Sequence, residues 1–295
     1  IDCRAAGAKP NMNLARSTII VASLVLAWDF ARAQDLPIHP SYDEIIARGT
    51  LEIAVYEDFP PFSSRVDGQL VGVDIDLGKT IAEKLGIRAV FRELPAGEDV
   101  SEDLRHAIWK GHYLGMPVSD LMLHVPSERE FALRNDMVVI FGAYFQEQLV
   151  IARNTAKTGE MPTLAVFRFE KIGAELDSLP SFFLIGFGGG TLRDNVVHYP
   201  TVAAAVAAML REEVAAVFAP RSQIEAALGK PAEKYRIETL LAPGLSKDRW
   251  NLGVAVSTQN RQLGYAIDDI LASMAASGEI EALFARHGLS YQAPE

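Results

Sequence analysis

The side chains able to do chemistry in this 295-residue chain are few and scattered. Six histidines, His39, His106, His112, His124, His198 and His287, show no pairing at the spacing of a metal site, and Cys3 is the single thiol. A metal centre needs several converging ligands, so neither a metal nor any other cofactor is expected. The glycine run at Gly186 to Gly190 lacks the Gly-Lys-Ser/Thr ending of a phosphate loop and the spacing of a dinucleotide fingerprint. Thr191, just after it, can cap a helix whose free N–H groups would receive a carboxylate. His124 ends an apolar segment and is placed either to contact a ligand or partner, or to serve as a bonded structural residue. With Glu57 and Asp58 it is the available acid-base chemistry, without a defined constellation, which argues against an enzyme. Asp74 and Asp76 point to opposite sides of an extended segment, an arrangement suited to helix capping.

The elements that must position these groups come from a chain that is 49% apolar and 22% charged, enough for two lobes. Its formal charge of -10, from 38 acidic and 28 basic residues, would repel a phosphate backbone and excludes a nucleic-acid partner. Residues 1–33 read as an export segment: Arg16, an apolar stretch from Ser17 to Trp28, then Ala31-Arg32-Ala33. Met12 suits the start of such a peptide, which would place residues 1–11 upstream of it. Cleavage after Ala33 would remove Cys3 and deliver a periplasmic protein beginning at Gln34. The stretch is too short to span a bilayer, which needs about 20 residues, so the mature protein is not expected to cross a membrane.

Short β-branched runs alternate with helical spacing, the pattern of an α/β protein. The strand Thr50 to Val55 leads into the turn Asp58-Phe59-Pro60-Pro61-Phe62. A helix after Asp74 carries Leu77, Ile81 and Leu85 on one face and ends at Gly86. A strand Ala89 to Leu94, a short helix near Ser101 to Lys110, and strands Asp120 to Val125, Val138 to Phe141 and Leu149 to Ala152 follow. Phe182 to Phe187 reads as a strand, the glycines as a sharp turn, and Thr191 as the start of a helix. Val202, Val206, Met209 and Leu210 mark another helix before the strand Ala215 to Phe218. The strand Leu252 to Val256 then precedes two helices separated by Gly278.

Gly49-Thr50-Leu51, the Asp58 to Phe62 turn, Leu70-Val71-Gly72-Val73-Asp74-Ile75-Asp76-Leu77, Ala82 to Gly86, Gly190-Thr191 and Ser277 to Ile280 together resemble the type II periplasmic solute-binding proteins, solute-binding protein family 3. The resemblance implies an α/β fold of two lobes, residues 34–146 plus 252–295 and residues 147–251, with a ligand cleft between them. Two crossing strands would lie near Tyr144 to Gln148 and near Trp250 to Leu252, where Tyr144 and Trp250 serve equally well as packing residues. It also implies an apolar wall at Phe59 and a carboxylate-binding arginine, for which Arg129 stands about one residue out of register beside Glu130. The acid that would meet a substrate ammonium is missing at Ala219-Pro220-Arg221, so a standard α-amino acid is disfavoured.

The run Val118-Ser119-Asp120-Leu121-Met122-Leu123-His124-Val125-Pro126, with Arg134-Asn135-Asp136 and Val139 to Phe145, is similar to the J proteins encoded beside PQQ-dependent methanol dehydrogenases. That narrower resemblance implies an accessory role in activating or maturing a quinoprotein, PQQ-dependent alcohol dehydrogenase. The alternative is the binding component of an ABC importer, partnered by a permease and carrying a small polar or anionic solute. Phe59, His124, Ser127, Arg129, Gly190 and Thr191 are the candidate ligand or partner contacts.

Overall fold

A computed structural model describes residues 37–112, 115–160, 163–230 and 232–295. The expected export segment, with Met12 and Cys3, lies outside the described residues. Within the unit His39–Glu295, local signals place the first elements. Ser41 and Glu44 cap each other at the start of the helix Tyr42–Arg48, and Gly49 ends it in the left-handed conformation. Strand β1 (Thr50–Tyr56) follows with Leu51, Ile53 and Val55 fully buried. After it come the hairpin β2 (Ser64–Val66) and β3 (Gln69–Val71), the helix Val73–Lys84, and strand β4 (Arg88–Leu94). The short helix Val100–Leu104 runs into a π-helical turn, Arg105–Trp109, before β5 (Leu121–Pro126).

One strand then does the work of two. Where separate strands were expected at Val138 to Phe141 and Leu149 to Ala152, β6 runs unbroken over Val138–Asn154. The period is hidden by an irregularity: Gly142 has a positive φ of 57°, and the register against the partner strand slips between Leu252 and Val254. The chain continues through β7 (Ile172–Glu175), β8 (Val196–Tyr199), β9 (Ala216–Pro220), β10 (Tyr235–Glu238) and β11 (Arg249–Ser257). The sheet order is β4-β1-β5-β11-β6-β9-β7-β8, with β10 also beside β6. Up to Gln148, β6 pairs with β11, Gln148 facing Arg249 and Glu147 facing Trp250. From Leu149 onward it pairs with β9 and β10. The molecule is therefore two lobes strung on one shared strand, with β11 crossing beside it.

Each lobe has its own core. Ile53, Leu77, Ile81, Phe145, Val254, Ile267 and Phe284 belong to the first, and Val206, Met209, Val217 and Ile224 to one face of the second. The helices Arg261–Ala276 and Glu279–Arg286 return to the first lobe, where Ile267, Leu271, Ile280 and Leu283 are buried.

The segment around Phe182 corrects the sequence reading. Phe182 to Phe187 is not a strand: it lies in the helix Leu179–Gly190, capped by Ser178, whose hydroxyl accepts from the Ser181 N–H at 3.2 Å. A short apolar run fits a buried strand and a helix equally well, and here the serine cap with Pro180 in the first turn decides. Helical geometry is lost at Phe187 to Gly189, and Gly188, Gly189 and Gly190 all take positive φ. Thr191 consequently ends this helix, its N–H and hydroxyl both turned to the Phe187 carbonyl.

Candidate functional site

The first-lobe wall of the cleft is built on β1, the proline turn and β5. Phe59, beside the cis Pro60–Pro61 bond, stacks on Phe62 with ring centroids 5.7 Å apart. His124, at φ 62°, meets the edges of Phe59 at 4.9 Å and Phe62 at 4.2 Å. Its Nδ1 lies 3.2 Å from Asp74, whose other carboxylate oxygen accepts the Tyr144 hydroxyl at 2.9 Å. The Tyr144 oxygen in turn accepts the His124 backbone N–H at 3.1 Å. Asp74 and Tyr144 are buried, and burial with the adjacent carboxylate drives the Tyr144 hydroxyl pKa well up. Neither Asp74 nor Asp76 caps the helix as expected: Gly72 occupies the N-cap, and Asp76 pairs with His287 at 3.0 Å. A Cβ on Gly72 would sit 2.1 Å from the Phe62 carbonyl oxygen, so only glycine lets the turn approach the helix start.

A second buried group spans the crossing. Glu147 on β6 accepts the hydroxyl and the 3.4 Å backbone N–H of Ser222, which belongs to the helix Arg221–Leu228 of the other lobe, and the Gln148 N–H at 2.9 Å. Burial pushes its carboxyl pKa up against these hydrogen bonds.

The second-lobe wall has the opposite character. Glu175 ends β7, Ser178 to Pro180 open the next helix, Thr201 to Ala203 open the helix Val202–Leu210, and Gln223 projects from the helix Arg221–Leu228. With Phe59, Trp250, Leu149 and Pro220 these line two adjoining cavities of about 210 and 220 Å³ that share Phe59, Glu175, Val202 and Gln223. Desolvation pushes the Glu175 carboxyl pKa up, and no hydrogen bond or ion pair among the described residues relieves it. The Gln223 amide oxygen is buried and likewise without a partner.

The structure thus brings Phe59 and His124 together, with Phe59 at the cleft and His124 behind it, its side chain 11% exposed. Ser127 and Arg129 stand apart: the Ser127 N–H donates to the Asn251 carbonyl, and Arg129 is exposed at the start of the helix Arg129–Arg134. Gly190 and Thr191 lie at the far end of the helix whose first turn borders the cavity. Sequence reasoning missed Glu175, Ser178, Thr201 and Gln223. A signal was present in Asp177-Ser178-Leu179-Pro180, a helix-capping sequence directly after a short strand.

A larger cavity, about 520 Å³, sits wholly in the first lobe between the end of β4 and the π-helical turn. Its buried acid is already satisfied: Asp103 accepts the Tyr56 hydroxyl at 2.8 Å and the Gly97 N–H at 2.9 Å. Among the described residues no cluster of three metal-binding side chains occurs, and no helix is long and apolar enough to cross a membrane.

Residues 51–105, from β1 through the Phe59 turn and Asp74, match the family model for bacterial extracellular solute-binding proteins, family 3. A solved ancestral cationic amino acid solute-binding protein, AncCDT-1, superposes with a TM-score of 0.64 at 19% identity, covering 83% of this chain and 98% of its own. The fold is the type II periplasmic binding fold. An amino acid ABC transporter substrate-binding protein from Streptococcus pneumoniae, bound to L-arginine, gives a TM-score of 0.58 at 19% identity over 85% of this chain and 98% of its own. A further AncCDT-1 structure, described as a precursor of cyclohexadienyl dehydratase, gives 0.56 at 19% over 83% and 98%. The chain is thus solute-binding-protein-like in fold, and amino acid importers' binding proteins are among its structural neighbours.

Proposed function

We propose that this is an exported, periplasmic solute-binding protein that captures a small polar solute between its lobes and presents it to an ABC permease. The observation that carries the reading is the Glu175 carboxylate, without a hydrogen bond or ion pair among the described residues, lining with Phe59 and Trp250 cavities of small-molecule size. Pockets of this kind, apolar with a few convergent polar groups, hold small ligands. The two strands that cross between the lobes supply a route for closure around such a ligand. We assign no catalytic step, since His124 is enclosed by aromatic rings and bonded to Asp74.

A second reading, an accessory role for a PQQ-dependent alcohol dehydrogenase, is favoured by exposed apolar residues on the second lobe near the cleft. Leu176, Leu179 and Phe182 are 55%, 45% and 56% exposed on consecutive turns of chain. Tagged protein recovered from the periplasm of alcohol-grown cells separates the two. Co-purification of the permease, or a melting temperature that rises with a polar solute, supports capture; retention of a quinoprotein dehydrogenase absent from a mock-bait control supports the accessory role.

A further inference from the structure

The resemblance to amino acid binders leads to an arginine for the substrate carboxylate and an acid after β9 for its ammonium. In this cleft neither is in place. Arg129 lies outside both cavities, and at the end of β9 the chain presents Pro220, then Arg221, which turns to Glu225 at 3.5 Å. Charged side chains do line the cavities, and both are acids: Asp58 from the first lobe and Glu175 from the second. Among the described residues lining them there is no lysine, arginine or histidine.

We propose that the cleft takes a small organic cation, an ammonium or guanidinium compound, on the Glu175 carboxylate, beside the Phe59 and Trp250 rings. The inference rests on the solute-capture reading and names its solute class. A carboxylate partly removed from water, with no cation beside it, gains a charge-assisted hydrogen bond when a cationic ligand arrives. The two aromatic rings offer apolar area and a favourable electrostatic surface to a cation. An anion placed here would face two acids. The positive ends of the helices that start after Ser178 and Thr201 partly offset the acids and suit a polar tail on the ligand. They lack the bidentate grip of an arginine, so an amine without a carboxylate fits better than the corresponding amino acid.

Titration calorimetry on the purified protein tests this with agmatine, putrescine, choline, L-arginine and succinate as probes. At least one amine is expected to bind, to do so more tightly than L-arginine, and to weaken about tenfold or more in Glu175→Gln. Trp250→Leu, which leaves the carboxylate in place and removes one ring, is expected to weaken the same amine about threefold or more, and keeps the test open if the first variant folds poorly. Amine binding unchanged in both variants overturns the assignment. Succinate as the sole ligand, with a change in Trp250 fluorescence, overturns the cation assignment and leaves solute capture standing. A folded protein that binds none of the five counts against both.

Discussion

The two walls of the cleft use polar groups in opposite ways. On the first lobe, Asp74, Tyr144 and His124 satisfy one another: the carboxylate takes the phenol and the imidazole, and the phenol oxygen takes the His124 N–H. On the second lobe, Glu175 lines the cavity with nothing bonded to its carboxylate among the described residues. Buried polar groups are nearly always paired, so a closed network is a device for holding shape, and an open one is a place for something else to bind. The ligand's place is therefore opposite the conspicuous histidine, on the wall that carries Glu175.

The largest expected effect tests the closed network. Asp74→Ala would leave the buried Tyr144 hydroxyl and His124 without their acceptor and is expected to destabilise the fold by about 3 kcal/mol in urea unfolding. A loss below about 1 kcal/mol would break the comparison, because the network would then hold nothing. Next comes Glu147, which bridges the lobes. Its pKa is raised by burial, so the folded state holds the proton more tightly than the unfolded chain. Its stabilising contribution is full below the ordinary carboxylate pKa and is lost as pH rises through the raised value. Glu147→Gln keeps hydrogen-bonding capacity toward Ser222 and removes that decline. A flatter stability–pH curve and a gain of about 1 kcal/mol at neutral pH are expected by thermal unfolding across a pH series. The smallest effect belongs to Arg129→Ala, expected to change stability by less than about 0.5 kcal/mol and to leave solute affinity unaltered by calorimetry. A large loss of affinity there would move the ligand site toward β5 and away from Glu175.

Much of the fold was legible because it is local. The helix start at Asp177 to Pro180 carries a capping signal as local as that of Gly190-Thr191, whose glycines mark the other end of the same helix. Phe182 to Phe187 misled because six apolar residues carry no period that separates strand from helix. The sequence suggests two strands where β6 is one, because Gly142 and the register slip beside it break the alternation in a strand that pairing with β11 keeps whole.

Local sequence was enough for the alternation of strands and helices, the proline turn that carries Phe59, and the strand that carries His124, since each follows from backbone preferences over a few residues. Tertiary structure alone decided that Phe59, Glu175, Gln223 and Trp250 would line one cleft. These residues come from four distant segments, and what gathers them is the pairing of β6 with β11 in one lobe and with β9 in the other, a long-range choice that no local pattern encodes.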